Sequence, residues 1–162
     1  MIAAARSEQV VWECTTGEQP KSMPSGSLDP SASTGKRKAR ILIVEDNYFV
    51  ALTIENALMD AGYEVLAVFD SGEAALRSVS DVEPDLVLMD IRLAGELDGI
   101  DTAVALHRLG IASLFASAHF DEAMKERGAA AMPAGWLVKP FSEPEIINAV
   151  ETALFSRNGH RG

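Results

Sequence analysis

Short apolar runs alternate with longer amphipathic stretches along the chain from Arg40 onward. Each run is largely aliphatic and is bounded by polar, Gly or Pro positions, a pattern that is typical of strands buried on both faces of a parallel sheet. In the stretches between the runs, apolar residues recur at spacings of three and four, which predicts helices that bury one face. The predicted strands are 41–44, 65–69, 86–90, 112–116 and 136–138.

Strand and helix alternate five times between residues 40 and 155. Right-handed crossovers between parallel strands place helices on both faces of one sheet. We therefore predict an α/β domain at 40–155, a doubly wound five-stranded parallel sheet with the flavodoxin-like strand order 2-1-3-4-5, whose site lies at the carboxyl ends of strands 1 and 3. An Ala-rich helix is predicted at 120–131, and a capping box at Ser142 to Glu145 begins the last helix.

The first 39 residues differ in composition from the predicted domain. Between 15 and 35 the chain is mostly Ser, Thr, Pro and Gly, and such a segment buries too little apolar surface to offset its ordering entropy. We predict a disordered leader at 1–39 and a disordered tail at 156–162. A true start at Met23, or a small local contact around Trp12, is an alternative for the leader.

The charge and the cysteine content narrow the class of protein. The 162 residues carry a formal net charge of −10, and an acidic surface repels nucleic acid and anionic membranes, so we expect neither as a partner. No apolar run approaches the length of a membrane span. Cys14 is the single cysteine, so an intrachain disulfide is excluded. These features fit a reducing compartment, and we predict a cytoplasmic protein.

Three acids converge on one end of the predicted sheet. Glu45 and Asp46 follow strand 1, and Asp90 ends the neighbouring strand 3. Like charges about 4 Å apart repel by roughly 1 kcal/mol in water and about 4 kcal/mol near a protein surface, so their convergence indicates a cation. Carboxylate oxygens at such a position suit Mg²⁺. The alternatives are an acidic rim screened by solvent and, for Asp90 alone, a strand terminator.

Strands 4 and 5 should add a hydroxyl and an ammonium group to the same pocket. Ser117 follows strand 4, and Lys139 follows strand 5. A lysine at a strand end is usually a surface residue whose stem covers apolar atoms, but here it would face three carboxylates. The bond between Lys139 and Pro140 is a candidate for the cis form. A metal, a cation and a nucleophilic carboxylate are the parts that phosphoryl transfer to an acid requires.

At these residues the chain resembles the receiver domain of bacterial two-component response regulators, which is CheY-like. The resemblance covers residues 40–155 and implies a phosphoacceptor signalling protein, which is not an enzyme beyond catalysing its own phosphorylation and dephosphorylation. It rests on five ordered stretches, ILIVEDN (41–47), LVLMDIRL (86–93), DG (98–99), FASAH (115–119) and WLVKPF (136–141).

The resemblance implies a role for each polar residue of the pocket. Asp90 is the phosphoacceptor, and Lys139 contacts the phosphoryl oxygens. Ser117 and Trp136 are the switch residues, with Trp136 at a position that usually holds Tyr or Phe. The implied Mg²⁺ ligands are Glu45, Asp46, Asp90 and the backbone carbonyl of Arg92.

The resemblance also implies the partners. A sensor histidine kinase or a histidine phosphotransfer protein donates the phosphoryl group to Asp90. As a stand-alone receiver, the protein relays the signal to an unknown downstream protein or acts as a phosphate sink, and phosphorylation could make a homodimer. The alternative is a receiver-like module that binds proteins without being phosphorylated.

Four departures from the family pattern bear on the switch. The loop at 92–98 lacks the usual Pro and is one residue longer, and the segment 99–117 is about four residues short. Met132-Pro133 replaces the usual Gly-Ala before strand 5, and Trp136 has no hydroxyl. His119, two residues beyond Ser117, is a candidate for tuning the lifetime of the phosphoryl group, or is simply an exposed histidine.

Two other classes of protein fit the residues less well. A phosphatase of the haloacid-dehalogenase kind uses a strand-end Asp with Mg²⁺, but it needs a second Asp two residues on, where this chain has Arg92. A flavodoxin-like flavin carrier needs a Ser, Thr and Gly loop after strand 1 to hold phosphate. Here Glu45-Asp46-Asn47 occupies that place and would repel a phosphate.

Overall fold

A computed structural model describes residues 37–119 and 121–158 of the chain. The strands are β1 (Arg40–Val44), β2 (Glu64–Phe69), β3 (Leu86–Asp90), β4 (Ser113–Ser117) and β5 (Gly135–Val138). The helices are α1 (Tyr48–Asp60), α2 (Gly72–Val82), α3 (Gly99–Arg108), α4 (Glu122–Gly128) and α5 (Glu143–Asn158), and a 3₁₀ turn (Ala129–Ala131) follows α4. Within the described ranges, none of these helices combines the length and the apolar character that crossing a membrane requires.

The five strands form one parallel sheet in the order β2-β1-β3-β4-β5. This confirms the predicted doubly wound α/β fold and its strand order. Val44 pairs with Met89, and Asp90 pairs with Ala116, so the carboxyl ends of β1, β3 and β4 lie at the same edge. The residues that follow these strands are therefore brought together.

The core lies on both faces of the sheet because side chains alternate along each strand. Ile41 and Ile43 of β1 face α1 and α5, whereas Leu42 and Val44 face α2 and α3. All residues of β3 are buried, which explains its continuous apolar run. A strand covered on both faces is fixed in position, and its terminal Asp90 is fixed with it.

Side chains at two helix starts hold the backbone near the site. Asn47 is the N-cap of α1, and its Oδ1 accepts hydrogen bonds from the N–H groups of Phe49 (3.1 Å) and Val50 (3.2 Å). Before α5, Glu145 Oε2 accepts from the backbone N–H and the hydroxyl of Ser142, each at 2.7 Å. The reaching-back half of the predicted capping box is thus present, and both helices begin at the edge that carries the acids.

Three boundaries differ from the sequence prediction. The helix expected at 120–131 is shorter, because α4 spans Glu122–Gly128 and gives way to the 3₁₀ turn. Helix α5 runs on to Asn158, so three residues assigned to a disordered tail are helical.

The domain also begins earlier than residue 40. Ala39 was assigned to the leader, but its carbonyl accepts a hydrogen bond from the N–H of Glu64 at 3.0 Å, which extends the β1–β2 pairing. Arg37 lies 2.8 Å from Asp85 in an ion pair. The rest of the predicted leader, 1–36, and the end of the tail, 159–162, lie outside the described residues.

Candidate functional site

The carboxyl ends of β1 and β3 bring the three predicted acids together. One carboxylate oxygen each from Glu45, Asp46 and Asp90 lies within 4.8 Å of the other two. Glu45 is 3% exposed and Asp90 is 6% exposed, whereas Asp46 is open to solvent. Two buried carboxylates and one exposed carboxylate form a site that a cation can enter from one side.

Lys139 supplies the positive charge of the site. Its Nζ lies 2.6 Å from Glu45 Oε2 and 3.1 Å from Asp90 Oδ2, and its side chain is 18% exposed. The backbone N–H of Lys139 donates to the carbonyl of Ser117 (2.8 Å), which extends the β4–β5 pairing and places the side chain. The bond to Pro140 is cis.

The charges of the site are not balanced by Lys139 alone. Burial raises the pKa of Glu45, and the charge of Asp90 raises it further, while the hydrogen bond from Lys139 lowers it in part. The net effect on the pKa is upward, so the ionised form of Glu45 lacks full compensation. The donors are carboxylate oxygens with negative charge to spare, which is the donor set that Mg²⁺ takes. The residues present therefore fit that ion.

The loop after Asp90 is tied to the site through its backbone. The N–H of Arg92 donates to Asp90 Oδ1, and the N–H of Ala94 donates to Asp46 Oδ2, each at 3.2 Å. The N–H of Gly99 donates to the carbonyl of Ile91 at 2.9 Å. A Cβ on Gly99 would overlap the carbonyl oxygen of Asp90. Glycine at this position therefore lets α3 begin directly against the end of β3.

Ser117 lies at the buried end of β4, one position beyond the partner of Asp90. Its Oγ lies 3.6 Å from Met124 Sδ on α4 and accepts a hydrogen bond from the N–H of His119 at 3.2 Å. The hydroxyl is thus in contact with α4. The Met124 contact was not predicted, because nothing in the spacing of an Ala-rich helix marks which residue faces the strand end.

Trp136 is half-buried under α4. Its ring lies 4.8 Å from that of Phe115, tilted by 41°. A Cβ on Gly128 would come within 2.8 Å of the indole ring, so the missing side chain of Gly128 makes room for the larger aromatic. The sequence marked Trp136 as unusual but gave no signal that Gly128 accommodates it.

A second contact joins α4 to the loop after Asp90. Arg127 Nη2 lies 2.6 Å from Asp98 Oδ2, and Asp98 is the N-cap of α3. Burial raises the pKa of Asp98, but hydrogen bonds from the N–H of Asp101 and from Arg127 outweigh it, and the net pKa is lowered. Asp98 is therefore ionised and bonded to both helices.

Two exposed side chains meet at the mouth of the site. Arg92 Nη2 lies 2.7 Å from His119 Nδ1, so the predicted tuning residue is placed beside the loop that follows Asp90. The contact joins residues 27 positions apart, and sequence reasoning did not pair them.

An apolar groove of about 490 Å³ opens beside Lys139. Phe49, at the start of α1, is 77% exposed and forms one wall, and Tyr48 packs edge-on against it with ring centroids 5.6 Å apart. Exposed aromatic side chains next to a charged site are typical of protein contact surfaces. The groove is lined by Phe49, Val50, Thr53, Ala118, Lys139, Pro140 and Phe141.

Comparison with known proteins gives consistent matches. The sequence model of the response regulator receiver domain matches residues 41–151. The chain is 36% identical over 118 residues to the transcriptional regulatory protein PdtaR of Mycobacterium tuberculosis, covering 71% of this chain and 56% of PdtaR. It is 31% identical over 117 residues to the chemotaxis protein CheY of Bacillus subtilis, covering 71% of this chain and 97% of CheY.

A solved structure of similar fold is the signal receiver domain of a modulated diguanylate cyclase from Desulfovibrio desulfuricans. Its TM-score is 0.71 at 35% identity, covering 76% of this chain and 98% of that one. The chain spans little more than half the length of relatives such as PdtaR, but nearly all of a receiver domain taken alone.

Proposed function

Because the chain belongs to the family of response regulator receiver domains, we propose that it is a phosphoacceptor signalling protein whose phosphorylated residue is Asp90. The observation that carries this proposal is the position of Lys139, whose Nζ contacts Glu45 and Asp90 beside Asp46. A solvent-screened acidic rim does not explain why a lysine is held 18% exposed among these acids.

In the proposed reaction, a carboxylate oxygen of Asp90 forms a bond to phosphorus. The bond between phosphorus and the donor's imidazole nitrogen breaks, and its electron pair remains on that nitrogen. Lys139 lies where it neutralises charge on the phosphoryl oxygens. Mg²⁺ supplies further neutralisation and aligns the phosphoryl group when bound; its proposed ligands are Glu45, Asp46, Asp90 and the backbone carbonyl of Arg92.

Ser117 and Trp136 are the proposed means by which the phosphorylated state is read. Ser117 lies beside the end of β3, and its hydroxyl now contacts Met124. A phosphoryl oxygen on Asp90 is a stronger acceptor than a thioether, so Ser117 would turn toward it and release α4. Trp136 packs against Gly128 and would adjust with that helix.

The proposed partners are proteins. The donor is a sensor histidine kinase or a histidine phosphotransfer protein, and the signal passes to a downstream protein or ends in hydrolysis. A net charge of −10 disfavours contact with nucleic acid. We place the protein in the cytoplasm, where such donors present their phosphohistidine, and a homodimer of the phosphorylated form belongs to the same proposal.

Intact mass after incubation with acetyl phosphate tests the proposed function. We expect one added phosphoryl group in the presence of Mg²⁺ and none in the presence of EDTA, because the three acids need the cation to accept a further anion. Beryllofluoride with Mg²⁺ should in turn change Trp136 fluorescence, read in a Trp12→Phe background. If neither the adduct nor the fluorescence change occurs, the chain is a binding module that is not phosphorylated.

The groove beside Lys139 predicts where the donor protein docks. Phosphoryl transfer requires the donor histidine to reach Asp90, and Phe49 is the most exposed side chain that lines the adjacent groove. We expect Phe49→Ser to slow transfer from a purified histidine kinase by about tenfold, the effect of removing an interface anchor. Labelling by acetyl phosphate, which needs no docking surface, should stay within about twofold.

Phe155 provides a matched control for this prediction. It is 82% exposed on the far part of α5, so Phe155→Ser removes the same side chain at a distance from the site. The kinase used is the one that labels the wild-type protein fastest in a panel of purified kinases. Equal slowing by the two variants, or equal slowing with both phosphodonors, would show that the groove is not the docking surface.

A further inference from the structure

Glu73 holds the loop that connects Asp90 to α3. Its Oε1 accepts hydrogen bonds from the N–H groups of Glu96 (2.9 Å) and Leu97 (2.8 Å). Glu73 lies in the first turn of α2, more than twenty residues from the loop in sequence. One carboxylate oxygen therefore fixes two consecutive peptide groups of a segment that belongs to the site.

The fit between Glu73 and the loop is close. A Cβ on Gly95 would lie 2.9 Å from Glu73 Oε2, so only glycine lets the backbone lie this near the carboxylate. Hydrogen bonds from its own backbone N–H and from those of Leu97 and Glu96 lower the pKa of Glu73. The carboxylate is therefore ionised at neutral pH and is the stronger form of acceptor.

The same loop carries the contacts of the site. Before Gly95, the N–H of Ala94 donates to Asp46, and that of Arg92 donates to Asp90. After Leu97, the chain enters α3, which begins against the backbone of Asp90. Ala94 and Gly95 have no side chain that could order the segment by packing. Glu73 thus closes the loop from the side opposite to the acids.

We propose that Glu73 is a positioning residue for the phosphorylation site. By fixing the N–H groups of Glu96 and Leu97, it keeps the Arg92 backbone and Asp46 in the arrangement that the cation requires. This inference rests on the proposed function, since it assigns Glu73 to the cation site of the same reaction. It differs from a ligand role, because Glu73 acts through the loop.

The test compares Glu73→Ala with Glu73→Gln, using Mn²⁺ alone as a probe for the cation site. Free Mn²⁺ is followed by electron paramagnetic resonance in titrations of the full chain. We expect Glu73→Ala to weaken Mn²⁺ binding by about tenfold or more, as loss of a supporting hydrogen-bond partner does. Glu73→Gln should restore binding to within about twofold, because the amide oxygen accepts from both N–H groups.

Two controls separate positioning from charge and from global stability. Glu96→Ala removes one negative charge from the same loop and keeps the backbone N–H, so we expect its Mn²⁺ affinity to match the wild type. Hydrogen exchange of the Glu96 and Leu97 amides should accelerate in Glu73→Ala and not in Glu73→Gln. The urea midpoint of each variant shows whether the domain remains folded at the temperature of the titration.

The outcomes are distinct. Equal weakening by Ala and Gln would make charge the cause and overturn the proposal, as would wild-type affinity in Glu73→Ala. If the wild-type chain itself binds no Mn²⁺ and takes no phosphoryl group, then the proposed function fails, and the role of Glu73 fails with it. If the wild type binds Mn²⁺ and only the Glu73 effect is missing, the proposed function stands.

Discussion

Replacing Asp90 with Asn is expected to abolish labelling by acetyl phosphate. The carboxylate is the nucleophile in the proposed reaction, and an amide of the same shape has no ionised oxygen that can form the bond to phosphorus. The substitution should leave the fold intact, because Asn keeps an oxygen that can accept from the N–H of Arg92, as Asp90 Oδ1 does at 3.2 Å. Intact mass should show no adduct at times when the wild type is fully labelled.

Asp70→Asn is the matched control for this result. Asp70 follows β2 at the same edge of the sheet, is exposed and bonds to Ser71, and it is outside the cluster formed by Glu45, Asp46 and Asp90. We expect its labelling to equal that of the wild type. An adduct on Asp90→Asn, located by proteolysis and mass spectrometry on Asp46 or Glu45, would mean that the acceptor is misassigned.

The sheet and the pocket could be predicted because each depends on a regular feature of the sequence. The run from Leu86 to Met89 has no polar break, which only a strand covered on both faces tolerates. Once the strand order is known, residues that follow the strands must meet at one edge, as Asp90 and Ser117 do. Lys139 could be placed there for the same reason, although its contact distances could not.

Contacts between loops and helices were not predictable in this way. Glu73 reaches Glu96 and Leu97, and Arg127 reaches Asp98, but each pair is set by how helices pack on the sheet. A surface acid looks the same in sequence whether it bonds to a loop or to water. The end of α4 was misplaced because alanine fits a 3₁₀ turn as readily as an α-helix, and the left-handed conformation of Met132 that ends the turn has no reliable signal in a methionine.

The position of α4 follows from three contacts that the sequence did not show together. Met124 contacts Ser117, Arg127 contacts Asp98, and Gly128 packs against Trp136. All three lie in a helix of seven residues, so few other interactions oppose a change at Ser117. A helix held mainly through the site is suited to report the state of that site.

Replacing Lys139 with Met is expected to destabilise the protein most when divalent cations are absent. Lys139 is the partner of Glu45, whose side chain is 1% exposed, and of Asp90. Removing one partner of a buried ion pair leaves an uncompensated charge and costs roughly 3–5 kcal/mol, so urea unfolding in EDTA should show a loss of about 3 kcal/mol. Labelling by acetyl phosphate should fall by about 10²–10³-fold, as for loss of one charge-stabilising donor.

Mg²⁺ should stabilise the Lys139→Met variant more than it stabilises the wild type. The variant presents the same carboxylates without the competing ammonium group, so the cation binds more tightly and raises the unfolding free energy by a larger amount at equal concentration. Lys125→Met is the matched control, because Lys125 forms an exposed pair with Glu122 at 3.5 Å and such pairs contribute about 1 kcal/mol or less. Equal stability of wild type and Lys139→Met in EDTA, or an equal effect of Mg²⁺ on both, would mean that Lys139 does not balance the acids; a larger effect of Mg²⁺ on the variant would show that cation and lysine share that role.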